Sequence, residues 1–268
     1  AMTRAALAAL VMVLALAGAQ AQTARDEVVV FAAGSLRSAM TEVAKAFEVA
    51  DASASVKLVF GASGLLKDRI AAGERADVFA SANMAHPQAL AAAGKASPAQ
   101  RFTRNTLCAL VSPKVNVTPE TLVDRMLDPA VKLGTSTPKA DPSGDYAVMM
   151  FERVEQQGRT GAFAALNAKA LHLTGGPNSP PPPVGKSVYG VLVADGQADI
   201  FITYCTNTLI AVAEQPGLTS IAVSDAINVG ADYGVAVIGA APAAQGFVAF
   251  LLGPSGQAIL TRQGFAPR

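Results

Sequence analysis

Tryptophan is absent from the 268 residues, and histidine and cysteine occur twice each. His86 and His172 have no second imidazole or cysteine at ligand spacing, so no metal centre is spelled out. Charge is equally sparse. Charged residues make up 15% of the chain and the formal net charge is +1. Arg4 is the one charged residue in the first 21, so beyond them bases and acids balance. With no basic surplus and 6% aromatics to stack bases, nucleic acid is not an expected partner.

Common catalytic signatures are missing as well. Gly61-Ala62-Ser63-Gly64-Leu65 has leucine where a nucleophile elbow needs its last glycine. Val184-Gly185-Lys186-Ser187 echoes the end of a phosphate-binding loop, but Pro180 stands where the first glycine belongs. No pair of carboxylates stands out as an acid and base. An enzyme is therefore the weaker expectation.

An export leader is present. Arg4, an apolar run over residues 5–17 and the small-x-small triplet Ala19-Gln20-Ala21 read as a secretory signal over residues 1–21. The later apolar runs are broken by Gly, Pro or charge, so no membrane insertion of the mature chain is expected. Cys108 and Cys205 each fall in or beside an apolar, strand-like run. In an exported chain they can form a disulfide or stay as two buried thiols, and the sequence leaves both open.

What the sequence does contain is a repeated turn. Residues 28–33 (Val-Val-Val-Phe-Ala-Ala) suit a strand covered on both faces. Gly34 turns the chain, and Leu36, Met40, Val43, Ala44 and Phe47 follow at helical spacing. Ser35 falls at the expected N-cap, beside N–H groups that have no partner inside the helix. The pattern returns as strand 56–60, turn 61–64 and a helix beginning with Leu65, Leu66 and Ile70, with Ser63 where Ser35 stood. In a right-handed βαβ unit both turns open at one sheet edge, so two serines and two helix N-termini converge on a crevice suited to an anion.

Strands are expected at 76–82, 106–112, 131–135, 170–173, 199–204, 217–222 and 233–238. Helices are expected at 83–93, 119–127, 144–157, 163–168, 187–194, 244–252 and 256–261, with 97–104 a polar loop. The four prolines at 180–183 exclude helix and central strand. Strands alternating with helices predict an α/β chain with mainly parallel sheets. Two lobes are expected: residues 26–110 together with the return segment 233–268, and residues 111–232.

The stretches Val30-Phe31-Ala32-Ala33-Gly34-Ser35-Leu36, Phe60-Gly61-Ala62-Ser63-Gly64-Leu65, Ala76-Asp77-Val78-Phe79-Ala80-Ser81-Ala82, Asp141-Pro142-Ser143-Gly144-Asp145-Tyr146, Ile202-Thr203-Tyr204 and Phe250-Leu251-Leu252-Gly253-Pro254-Ser255-Gly256-Gln257 carry a resemblance. In order and spacing they resemble the periplasmic molybdate-binding proteins of ABC importers, within the wider two-lobed (type II) solute-binding proteins. The resemblance covers nearly all of the chain after the leader. It implies a periplasmic, monomeric protein that holds molybdate or tungstate in the interlobe cleft, delivers it to a permease, and needs no cofactor.

It also implies a donor set. Ser35 and Ser63 supply hydroxyls and N–H groups. Ser143 supplies a backbone N–H where the family commonly has alanine. Tyr204 supplies a hydroxyl, and a further N–H comes from near Lys186, where the family often has valine. Lys186, Asp145 and the Thr206-Asn207 pair depart from a neutral site and leave room for phosphate or a small carboxylate instead.

Overall fold

The computed structural model describes residues 25–268. The expected leader, residues 1–21, lies outside the described residues. In chain order the elements are β1 (Asp26–Ala33), α1 (Arg37–Ala50), β2 (Ala54–Gly61), α2 (Ser63–Ala71), β3 (Val78–Ser81), α3 (Ala85–Ala92), β4 (Gln100–Asn105), β5 (Leu107–Val111), α4 (Leu122–Leu127), β6 (Leu133–Ser136) and α5 (Pro142–Gln156). They continue with α6 (Ala162–Lys169), β7 (Leu171–Thr174), α7 (Val188–Ala194), β8 (Ile200–Tyr204), α8 (Cys205–Glu214), β9 (Thr219–Ala222), β10 (Ala231–Val237), α9 (Pro242–Leu252) and α10 (Pro254–Arg262).

The strands form two five-stranded sheets, β2-β1-β3-β10-β4 and β7-β6-β8-β5-β9. The two repeat one plan. Three strands run parallel, then two antiparallel pairings complete each sheet. Each sheet is thus mixed, with four strands running one way and one, β10 or β5, inserted against them. The α/β two-lobed architecture is as the sequence predicts.

β1 shows why this sequence makes a central strand. Val28, Val30 and Ala32 pack with Met40, Phe47 and Phe247 on one face. Val29 and Phe31 pack with Leu66, Ile70 and Leu90 on the other. Its alternating side chains are all apolar because helices cover both sides.

The chain crosses between sheets at Thr106 and again over residues 223–230. Strand β4 occupies most of the expected polar loop 97–104; Phe102 and Thr103 are fully buried there. The strand β5, begun inside the expected first lobe, belongs to the second sheet. The first crossing therefore lies about four residues earlier than the expected boundary at 110. The short polar joint Asn105-Thr106 left no breaker to mark it. Asn228 ties the two crossings together: its Oδ1 accepts from Leu107 N at 3.0 Å, and its Nδ2 donates to Leu107 O at 3.0 Å.

Cys108 and Cys205 form a disulfide with Cα atoms 4.7 Å apart. It joins β5 to the start of α8, both in the second lobe. It therefore braces that lobe beside the crossing and does not span the hinge.

Candidate functional site

Both serine turns face the second lobe. Ser35 lies one residue inside a short 3-10 turn, Gly34–Leu36, whose cap position is Ala33. Ser63 is the first residue of α2, and Ala62 holds the cap position. Neither hydroxyl caps its helix, contrary to the expected N-cap role. This leaves the hydroxyls available for other partners. Ser35 Oγ lies 2.9 Å from the Tyr233 hydroxyl on β10. Ser63 is buried, and its Oγ accepts the Ala82 N–H at 3.0 Å. Their first-turn N–H groups have no acceptor within their own helices.

The second lobe brings polar side chains to the carboxyl ends of β6 and β8. Tyr204 ends β8 and is 1% exposed, yet among the described residues its hydroxyl makes no hydrogen bond of good geometry. Thr135 and Ser136 on β6 also hold buried hydroxyls that make no hydrogen bond of good geometry among the described residues, with Ser136 close to the Asp141 carboxyl and the Tyr189 hydroxyl. Ser143 Oγ is 3.3 Å from Thr203 Oγ1, which also accepts from Asn207 Nδ2 at 3.0 Å. Buried hydroxyls without partners are costly and uncommon, so a group of them at strand ends marks a place built to meet a polar ligand.

Two contact lines join these halves. Tyr233 of the first lobe sits 5.6 Å, ring centre to ring centre, from Tyr204, and Tyr204 sits 6.3 Å from Tyr146 on α5. At the other side Gly64 N donates to Ala140 O at 2.9 Å, just before α5. A Cβ on Gly64 would lie 2.6 Å from Lys139 O, so only glycine permits this approach. Lys139 itself is held at φ 69°, with its N–H donating to Asp145 Oδ1 at 2.7 Å. Ser35 is thus linked through Tyr233 to Tyr204, and the Ser63 turn meets the loop that leads into Ser143 on α5.

Two expectations need correction. The Ser143 N–H is not free: it donates to Asp141 Oδ1 at 3.0 Å, because Asp141 is the N-cap of α5. Its hydroxyl lies against Thr203 Oγ1 inside the second lobe. Lys186 is exposed in the turn before α7, and no hydrogen bond or ion pair joins it to the other four residues. Ser187 caps that helix through Gly190 N at 3.3 Å, while its own N–H is taken by Glu214. A groove of about 720 Å³ beneath the prolines, lined by Thr137, His172, Pro177 and Val188 among others, is a separate feature of this lobe.

The structure adds residues that the sequence did not mark. Asn105 Nδ2 donates to Thr206 Oγ1 at 2.9 Å and reaches Tyr233 Oη at 3.5 Å. The Arg37 guanidinium stacks on the Phe60 ring at 4.5 Å, placing a cation near both serine turns. Burial pushes the Asp141 carboxyl up to about 6 against the pull of the Ser143 N–H. Burial likewise raises the Tyr204 and Tyr233 hydroxyls far above the ordinary phenol range, so both stay protonated and able to donate. Tyr233 lies within β10 with its ring in the core, like many aromatics. Only its partner Ser35, 198 positions away, distinguishes it.

The chain is 35% identical over 240 residues to an uncharacterized protein of Pasteurella multocida (strain Pm70), covering 89% of this chain and 98% of that one. It is 30% identical over 255 residues to the molybdate-binding protein of Mycobacterium tuberculosis, covering 89% and 84%. Among solved structures, the sulfate-binding protein of M. tuberculosis superposes with a TM-score of 0.75 at 16% identity, covering 91% of this chain and 87% of that chain. The family described as bacterial extracellular solute-binding protein matches residues 28–266, and to that family this chain belongs.

Proposed function

We propose that this protein captures a tetrahedral metal oxyanion, molybdate or tungstate, in the periplasm and delivers it to an ABC permease. The observation that carries the proposal is the buried Tyr204 hydroxyl, which makes no hydrogen bond of good geometry among the described residues and sits beside Tyr233, whose own hydroxyl meets Ser35. An oxyanion accepts hydrogen bonds at every oxygen. Each bond to a charged acceptor contributes about 1.5–3 kcal/mol, so a handful of neutral donors suffices without a cation. Donors from both lobes favour the closed form, and the ligand shifts the population toward it. The likeness to a molybdate-binding protein at 30% identity supports the choice of ligand. In this role the protein acts as a monomeric carrier, not an enzyme, and the metal arrives as cargo.

A second reading, a carrier of phosphate or a small carboxylate, draws on Arg37, whose cation lies near both serine turns. Titration calorimetry with molybdate, tungstate, sulfate, phosphate and citrate separates the two. Heat with molybdate or tungstate supports the first. Silence with both and a clear response to phosphate or citrate replaces it with the second.

A further inference from the structure

Tyr204 stands at the very end of β8, and α8 begins at Cys205 with no loop residue between them. Its strand support is one-sided. The register of β8 with β6 stops at Ile202, so beyond that point β5 is the neighbouring strand, with Cys108 opposite Thr203 and Leu107 opposite Tyr204. Leu107 gives its N–H to Asn228 Oδ1 at 3.0 Å rather than to Tyr204. The Tyr204 ring packs against Tyr146 of its own lobe and Tyr233 of the first lobe, and the second of these travels with the first lobe.

Where the ladder ends, other ties join the start of α8 to the first crossing. Cys205 N donates to Thr106 O at 2.9 Å, and Thr206 Oγ1 accepts from Asn105 Nδ2 at 2.9 Å. The covalent tie is Cys108–Cys205, with Cα atoms 4.7 Å apart and 97 positions between them in sequence. A cross-link that closes so long a loop stabilises the folded state wherever it lies. Its placement adds something further. Domain closure is absorbed at a few residues at element ends, and Asn105 and Thr106 are such residues here. Hydrogen bonds at that joint open and reform as the chain bends, whereas the disulfide does not. It keeps residues 107–108 and 204–205 in one body while the joint moves.

We propose that the Cys108–Cys205 disulfide is a positioning element of the anion site: it holds the end of β8 on the first residues of β5, so that the Tyr204 hydroxyl keeps one place while the lobes close. A hydrogen bond weakens steeply once its angle is lost, so a donor at a one-sided strand end gains from such a brace. This rests on the proposed oxyanion function and adds the group that keeps one of its donors aligned.

The test is titration of molybdate and tungstate into four proteins: the wild type, the paired change Cys108→Ala with Cys205→Ala, Tyr204→Phe, and all three changes together. Thermal unfolding confirms that each is folded. Removing the disulfide lowers affinity about three- to tenfold, less than deleting the Tyr204 hydroxyl, because the bond to the anion is misaligned and not lost. In the Tyr204→Phe background the cysteine changes have no further effect on affinity, since they act through that hydroxyl. Wild type reduced with a phosphine, its two thiols counted, shows the same loss. Three results overturn the proposal while wild-type binding leaves the oxyanion function standing. They are a folded cysteine variant that binds like wild type, an equal loss with and without the Tyr204 hydroxyl, and a chain that unfolds at the titration temperature once the bond is cut. The bond then serves the fold alone. If the wild type binds neither anion, the oxyanion function itself falls and this inference with it.

Discussion

Changing Tyr204 to phenylalanine moves stability and affinity in opposite directions. The side chain is 1% exposed, ends a central strand, and among the described residues its hydroxyl makes no hydrogen bond of good geometry. Leaving such a group buried costs about 1–3 kcal/mol. Tyr204→Phe keeps the ring contacts with Tyr146 and Tyr233 and removes only that cost. The ligand-free variant is therefore more stable than the wild type by about 1 kcal/mol, a rise of about 2–4 °C in midpoint for a chain of this size. With anion present the order reverses. Loss of a bond to a charged oxygen weakens binding by about ten- to a hundredfold. At a ligand concentration of about 100 times the wild-type Kd, the wild type gains about 2.7 kcal/mol. The variant then gains only about 0.4–1.4 kcal/mol, less than the difference needed to keep its lead. Thermal unfolding of both proteins with and without molybdate reads all four values. A ligand-free variant that is less stable, or midpoints that do not cross on adding ligand, would show that Tyr204 is an ordinary core aromatic.

Other consequences follow from the same cleft. Ser35→Ala or Ser63→Ala lowers molybdate affinity by about ten- to a hundredfold, whereas Lys186→Ala, exposed in its turn, leaves it within about twofold; calorimetry that ranks Lys186 first would mean the site works by charge. Gly64→Ala puts a Cβ 2.6 Å from Lys139 O and 2.7 Å from Ala140 O, so it resists lobe closure. At a cost of about 1–3 kcal/mol, affinity falls about five- to a hundredfold, and scattering at matched ligand excess shows a larger radius of gyration than wild type. Asp141 has its folded-state pKa raised to about 6 from 3.8. Between those values the folded protein holds more protons than the unfolded chain, so this carboxyl lowers stability as pH rises through that window, by up to about 3 kcal/mol. Asp141→Asn retains an oxygen for the Ser143 N–H and removes that contribution. Its stability relative to wild type should increase from pH 4 to pH 7 in denaturant titrations, and a flat difference would refute the assignment.

Much of this was legible from periodicity and turn chemistry. The buried strand at β1, the repeated serine turn and the two-lobed α/β plan follow from side-chain alternation and helical spacing. β4 was hidden because its sequence, Gln-Arg-Phe-Thr-Arg-Asn, carries one large apolar residue, and pairing with β10 and the bridge from Arg104 to Ala266 supply its order. The antiparallel β10 between β3 and β4 was equally out of reach, since a returning strand looks the same whichever way it inserts. α8 was hidden behind Tyr204, where strand passes to helix without a loop residue. At the site, the serines were visible as residues at turns. Their hydrogen-bond partners were not, because Tyr233 and Ala82 are brought near only by the fold. The expected Ser143 N–H failed for a local reason: Asp141, two residues earlier, is a better acceptor for it than a ligand arriving later.

Whether an oxyanion sits where donors from both lobes meet is tested most directly by a crystal structure of the protein with tungstate, located by its anomalous scattering. One tungsten peak is expected within hydrogen-bonding reach of the Ser35, Ser63 and Tyr204 hydroxyls, its oxygens filled by donors of both lobes. A peak at Arg37 or Lys186 alone, or no ordered tungstate between the lobes at saturating concentration, would contradict it.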